Sequence, residues 1–357
     1  LIMNTTIQKF TFFFTTCLLA CWVQAQRGPQ DTWYETGLVV MPSGCSPFDI
    51  ILTRENTLLL SDHGNDKIQE LDKNGTFIKS YGSAGSNNLQ FNNPTEIAIG
   101  PNNRIYITDT NNHRIQVIDR NGSFIKSFGT SGTNDGKFNK PWGICISLDN
   151  EIYITDQGNH RVQVFDLNGT FRRKWGEFGD LDGKLNNPKG IDVDDSGQVY
   201  ILDSTNKRIC IYSKAGNFLS KINVDRGGNS SFVWPYFLKI FSNGLIATGG
   251  ENTNYNQHWL RLREKNGNLL RTLNFDPPFY AKGSPSAMDA DGKIFFANQD
   301  NKKLYILTQT YRSLRSNSSK EAPLPEVISV TQPVGTNHLE LKYRITDADS
   351  AKVKSGL

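Results

Sequence analysis

Methionine and cysteine are scarce, at 3 and 5 of 357 residues. So few methionines against 31 glycines, with few long Ala/Glu/Lys/Leu stretches, argue against a helical bundle or coiled coil. No uninterrupted apolar run approaches the roughly 20 residues a membrane-spanning helix needs. Clustered Lys and Arg are also missing: 39 basic residues stand against 35 acidic ones, a net charge of +4. That leaves no basic footprint for nucleic acid. There is no catalytic Ser or Cys motif, no Walker-type phosphate loop and no Rossmann fingerprint. At 37% hydrophobic residues the chain is too apolar to be disordered. What remains is the composition of a soluble, turn-rich, all-β protein.

The N-terminus reads as a targeting segment. Met3 is the expected start. Lys9 precedes an apolar run from Phe10 to Val23, and Val23-Gln24-Ala25 is a small-residue cleavage pattern. Residues 1–25 are therefore expected to be a signal peptide, which implies a secreted, extracellular or periplasmic protein. Leu18-Leu19-Ala20-Cys21 also resembles a bacterial lipobox, which keeps open a lipoprotein anchored through Cys21. Cleavage after Ala25 removes Cys17 and Cys21 and leaves Cys45, Cys145 and Cys210. These cannot form a disulfide framework, and their wide spacing fits no zinc motif. Cys145 and Cys210, each between two isoleucines, read as small core residues.

A repeat dominates the rest. Pro47, Pro94, Pro141, Pro188 and Pro235 are 47 apart. So are Asp62, Asp109, Asp156 and Asp203, and Gly75, Gly122, Gly169 and Gly216. A sixth unit starts near Pro285, after an insertion around 252–258. Each unit contains four short β-branched or aromatic runs bounded by Asn, Asp and Gly. In the second unit these cover 96–99, 104–108, 114–118 and 123–128. Four antiparallel strands per repeat of this length predict propeller blades, which bury sheet faces by packing radially.

Two kinds of turn recur. Asn74-Gly75, Asn121-Gly122, Asn168-Gly169 and Asn266-Gly267 fall between third and fourth strands, where type I′ hairpins are expected. Ala215-Gly216 matches less well. Three of these turns also spell glycosylation sequons, with Thr76, Ser123 and Thr170, but the hairpin alone accounts for the Asn-Gly. Between the second and third strands, an Asp is followed three residues later by Asn and two further on by Arg or Lys, as in Asp109-Thr110-Asn111-Asn112-His113-Arg114. This predicts a structural turn clasp in which the carboxylate caps loop N–H groups and pairs with the cation. An exposed pair of this kind is worth about 0.2–1 kcal/mol.

Asn112-His113-Arg114-Ile115, Asn159-His160-Arg161-Val162 and Phe138-Asn139-Lys140-Pro141-Trp142-Gly143-Ile144 resemble the NHL-repeat family. The resemblance covers about residues 47 to 310, strong in units one to four and weaker beyond. It implies a six-bladed β-propeller of four-stranded antiparallel blades. The sixth unit lacks an obvious fourth strand, and Thr36-Gly37-Leu38-Val39-Val40 is expected to supply it. The propeller is thus expected over 36–314, followed by a polar linker at 315–325. Residues 326–357 look like the first strands of an immunoglobulin- or cadherin-like sandwich. About 35 residues fall short of the roughly 100 such a sandwich needs, so the tail is expected to be an incomplete domain of a larger modular chain.

Loop lengths select one face of the disc. The clasp loops and the long links between units gather on one face, and longer loops on a rigid frame carry binding sites. The candidates there are His63, Asn111, His113, Gln157, His160 and Ser204, with Trp142, Glu96 and Asp192 nearer the channel. His113 and His160 sit in the repeat loop and also read as structural. The preferred expectation is a non-catalytic, monomeric module that binds a protein or glycan, with no nucleic-acid partner, no catalytic residues and no cofactor. The alternative is enzymatic, because some related six-bladed propellers are metal-dependent lyases or lactone hydrolases. Asp49, Glu96 and Asp192 occupy related first-strand positions, and a calcium ion at the channel mouth would fit that alternative.

Overall fold

The computed structural model describes residues 32–40, 45–224, 233–241, 243–252, 257–275, 286–288, 293–298, 303–310, 326–331 and 340–344. The expected signal peptide, Cys21 and the linker at 315–325 lie outside these residues. Among the described residues there are strands, turns and single 3₁₀ turns, and no α-helix.

Five blades are each built from four consecutive antiparallel strands. Their first strands are Pro47–Leu52, Pro94–Ile99, Pro141–Ile146, Pro188–Val193 and Val233–Ile240. Against the expected six blades, only five are built this way, and a further four-stranded sheet is composite. Ser286–Met288, Ile294–Asn298 and Lys303–Thr310 supply three strands, and Thr32–Val40 pairs antiparallel with the last of them. The joining strand begins four residues before the expected Thr36 and carries a bulge between Glu35 and Gly37.

The hydrophobic clusters lie between blades, which explains why single sheets suffice. Leu59 and Ile68 of the first blade pack with Ile97, Ile105 and Ile107 of the second. Cys145, Tyr153 and Val162 of the third pack with Ile191, Ile201 and Cys210 of the fourth. Phe295 of the composite sheet joins the first blade's cluster, and Ile294 joins the fifth blade's. The ring of apolar contacts therefore closes. Cys45, Cys145 and Cys210 are free and buried.

Two turn readings are corrected. Among the Asn-Gly turns only glycine has positive φ, as at Gly75 (80°) and Gly122 (89°), so these are not type I′ hairpins. Instead Gly75 N–H donates to Asp72 O, and Asp72 Oδ1 accepts from the N–H groups of Asn74 and Thr76. The aspartate holds the preceding residues in ordinary conformations, leaving the left-handed position to glycine alone. Ala215-Gly216 therefore fits as well as Asn-Gly, with Gly216 at φ 90°.

The clasp is buried rather than exposed. Asp62, Asp109, Asp156 and Asp203 are all fully buried. Asp156 accepts from Asn139 N–H (2.7 Å), Asn159 Nδ2 (2.9 Å), Arg161 Nε (2.7 Å) and Gln163 Nε2 (3.1 Å). Arg161 Nη2 donates onward to the carbonyls of Asn134 and Lys137 in the link from the previous blade. One carboxylate thus ties a clasp loop to an inter-blade link. Burial pushes the Asp156 and Asp203 carboxyls up, against the lowering pull of these donors.

Residues 311–357 form a separate unit. Its described part is one antiparallel pair, Glu326–Thr331 with Glu340–Arg344.

Candidate functional site

The first strands of the first four blades begin at their prolines on the clasp-loop face and run toward the opposite face, and Pro235 lies two residues inside the fifth. The residue after each proline forms a layer at the channel mouth: Phe48, Thr95, Trp142, Lys189 and Tyr236. Thr95 is consumed by structure, because its hydroxyl donates to Trp142 O at 2.7 Å. The other four make a patch. Phe48 and Trp142, from the first and third blades, meet edge-on with centroids 5.1 Å apart. Lys189 Nζ lies 5.0 Å from the Trp142 ring and 4.0 Å from the Tyr236 ring. His63 stacks on Phe48 at 5.3 Å. Among the described residues no acceptor reaches the buried Trp142 Nε1. An ammonium held between two aromatic faces, with polar groups beside it, offers stacking, cation–π and hydrogen-bonding contacts together.

The sequence candidates divide at this patch. Trp142 and His63 belong to it, and Gln157 is half-buried at the register of His63 in the third blade. Ser204, at the same register, is buried and donates to Pro235 O at 2.7 Å. Asn111 is bonded to Asn92. His113 Nδ1 and His160 Nδ1 accept from the backbone N–H groups of Lys140 and Asn187 in the next blade. Both histidines sit at φ 55°, so they join blades at a left-handed turn. Sequence reasoning missed Phe48, Lys189 and Tyr236. Their signal was available as a register, immediately after each proline, where the repeat changes its residue type in every unit.

Beneath this layer the channel holds Asp49, Glu96, Asp192 and Lys239. Each acid accepts a backbone N–H from the next first strand: Ile97 to Asp49 (2.9 Å), Ile144 to Glu96 (3.1 Å) and Ile240 to Asp192 (2.8 Å). At the Asp49 register the third and fourth blades carry Gly143 and Gly190. A Cβ at either would lie 2.4 Å from Lys189 O or 2.5 Å from Leu238 N. Where backbones approach that closely no side chain fits, and where they do not, a carboxyl bridges them. Burial raises all three carboxyls, Glu96 most clearly. Glu96 Oε1 is buried and has no partner among the described residues. Burial works against the charge of Lys239, but Asp49, Glu96 and Asp192 outweigh it and hold the ammonium above its usual range.

This layer does not fit the calcium expectation. The described residues contain no group of three His, Cys, Asp or Glu arranged to hold a metal ion. The acids face backbone N–H groups, and Lys239 Nζ lies 3.8 Å from Asp49 Oδ1, bringing a cation of the protein's own into the layer.

The arrangement of four-stranded blades around a channel defines a β-propeller. The NHL repeat model matches residues 91–118, 138–165 and 185–212, so the propeller contains three NHL repeats. Solved structures share the fold at low identity. A streptogramin B lyase superposes with a TM-score of 0.55 at 14% identity, covering 78% of this chain and 98% of that one. Virginiamycin B lyase from Staphylococcus aureus gives 0.54 at 13%, covering 78% and 99%. A gluconolactonase from Xanthomonas campestris gives 0.56 at 14%, covering 76% and 89%. No curated protein matches the sequence. No described helix is long and apolar enough to cross a membrane.

Proposed function

We propose that this chain is a non-catalytic recognition module of a secreted or surface protein, binding a protein or glycan through the clasp-loop face of its propeller. The observation that carries this reading is the Trp142–Lys189–Tyr236 stack across three adjacent blades. Aromatic rings with a clamped cation form an anchor of the kind that dominates binding energy at interfaces. Phe48, itself buried, backs the stack, and His63 packs against Phe48.

The enzymatic alternative draws on the carboxyls in the channel and on the lyase and lactonase folds. Against it stands the employment of each of those carboxyls in bridging blades. One experiment separates the two. The mature propeller and its Trp142→Ala and Tyr236→Ala variants are screened on glycan and surface-protein arrays. In parallel, lactone and streptogramin turnover is assayed with added divalent ions. Binding that both variants abolish supports recognition. Turnover that Asp49→Asn or Glu96→Gln abolishes supports the enzyme and overturns the proposal.

A further inference from the structure

The far end of the channel, away from the aromatic layer, holds a cavity of about 320 Å3. Its walls are the ends of the first strands: Ile50 to Leu52, Ile97 to Ile99, Ile144 to Ile146, and Ile240 with Phe241. Two charged side chains also line it, Asp192 and Lys239. They are register equivalents, 47 apart on neighbouring blades. The same register carries Ile51, Ala98 and Cys145 in the first three blades. The fold is therefore satisfied by apolar residues there, and the two charges need another explanation.

Asp192 and Lys239 offset each other's charge only through space. No ion pair closes between Asp192 and Lys239, although both are described. The ion pair of Lys239 runs instead to Asp49, at 3.8 Å, beyond hydrogen-bonding distance. Asp192 accepts two backbone N–H groups, from Val193 and Ile240, and each carboxylate oxygen can accept more than one donor. An ammonium whose ion-pair partner lies 3.8 Å away and a carboxylate with unfilled acceptor sites thus face one small space whose lining is partly polar and partly aliphatic. Burying an under-bonded charge is costly, and a ligand that spans both relieves it. A purely cationic ligand would meet Lys239, and a purely anionic one Asp192.

We propose that this cavity binds a small zwitterion with an aliphatic body, of the branched-chain α-amino acid class, its ammonium on Asp192 and its carboxylate on Lys239. The partly exposed Ile51, Ile99, Ile146 and Ile240 take the hydrocarbon. The volume lies at the small end of ligand sites, which suits one amino acid rather than a peptide. The site is separate from the aromatic patch, so the proposal stands or falls apart from the recognition reading.

The test is calorimetric titration of the folded propeller with L-leucine, isoamylamine and 4-methylpentanoate. Leucine is expected to bind saturably at one site per chain. The two analogues, each lacking one charge, are expected to bind at least about tenfold more weakly. Asp192→Asn keeps the volume and an acceptor for Ile240 N–H, so it should fold normally yet lose leucine binding by a similar factor. Lys239→Met should do the same, and if it does not fold, Asp192→Asn decides. Trp142→Ala should leave leucine binding unchanged. The proposal is overturned by no saturable leucine binding up to about 10 mM, by analogues that bind as well as leucine, or by full binding in Asp192→Asn.

Discussion

The ring of clasps and the ring at the channel mouth follow the same 47-residue period, yet they treat it in opposite ways. At the clasp, Asp62, Asp109, Asp156 and Asp203 are identical and fully buried, with nearly the same donors around each. At the mouth the equivalent positions read Phe48, Thr95, Trp142, Lys189 and Tyr236. A residue that recurs in every unit meets a need that every unit has, and here that need is to tie a clasp loop to the link from the preceding blade. A register that changes in every unit is free of that need and open to a purpose of the whole disc. In a repeat protein, then, sameness marks the frame, and departure from sameness marks the candidate site.

The largest effect should come from breaking the frame. Asp156→Ala removes the carboxylate but leaves Arg161 buried, along with donors on Asn139, Asn159 and Gln163. Orphaning one member of a buried ion pair costs about 3–5 kcal/mol. Urea unfolding should show that loss. A change below about 1 kcal/mol would return the clasp to the exposed-pair range.

A smaller loss is expected from Thr155→Val. The Thr155 hydroxyl accepts from Gly143 N–H at 2.7 Å and donates to Lys189 O at 2.6 Å, stapling the third blade to the fourth. Thr108 and Ser61 do the same one and two blades earlier. Valine keeps the shape and strands both backbone groups, which should cost about 1–3 kcal/mol by denaturant titration. Leu202 stands at this register in the fourth blade. The measurement therefore reports what the staple adds where it is present. Were the cost negligible, the staples would belong with the free registers rather than with the frame.

The channel acids give a prediction in pH. Glu96 is raised by burial, with Asp49 and Asp192 adding to the rise and Lys239 and the Ile144 N–H opposing it. A carboxyl raised in the folded state holds its proton longer there than in the unfolded chain. Its contribution is thus most favourable below the ordinary carboxylate range and declines as pH climbs toward the raised value. Glu96→Gln removes that decline. Melting temperatures of variant and parent should converge in acid, and the variant should gain on the parent as pH rises above the ordinary carboxylate range. A gap that stays constant with pH would mean that Glu96 titrates alike in both states.

The frame was legible in the residues because it is periodic. Proline, aspartate and glycine spacings placed the blades, and the short apolar run Leu38-Val39-Val40 anticipated the strand that completes the composite sheet. The turn geometry was less so, since the side chain of Asp72, not the Asn-Gly pair, decides which residue turns left-handed. Gln69, Gln116 and Gln163 follow the clasp aspartates by seven residues and bond to them, a regularity present in the spacing but unread. The candidate site was half visible. Trp142 and His63 stood out as residue types, whereas Lys189 and Tyr236 matter only because neighbouring blades bring them together. Lys239 was hidden for the same reason: nothing along the chain says that three blades send carboxyls toward it.

The smallest effect sharpens the line between frame and site most finely. His113 has the look of a functional residue, a histidine on an exposed loop, but its Nδ1 accepts from Lys140 N–H and its φ is 55°. At the same register the other blades carry Asp66, His160 and Lys207, all at positive φ. Asp66 bonds Asn93 N–H in the corresponding way, through a carboxylate oxygen. Three of these four blades therefore place a side-chain acceptor on a left-handed backbone here, and asparagine supplies both. His113→Asn should change stability by less than about 0.5 kcal/mol and leave partner binding at the mouth intact. His113→Val, which lacks the acceptor and strains the turn, should be clearly less stable. A variant His113→Asn that folds normally but loses its partner would move this histidine from the frame into the site, and with it the boundary drawn between the two rings.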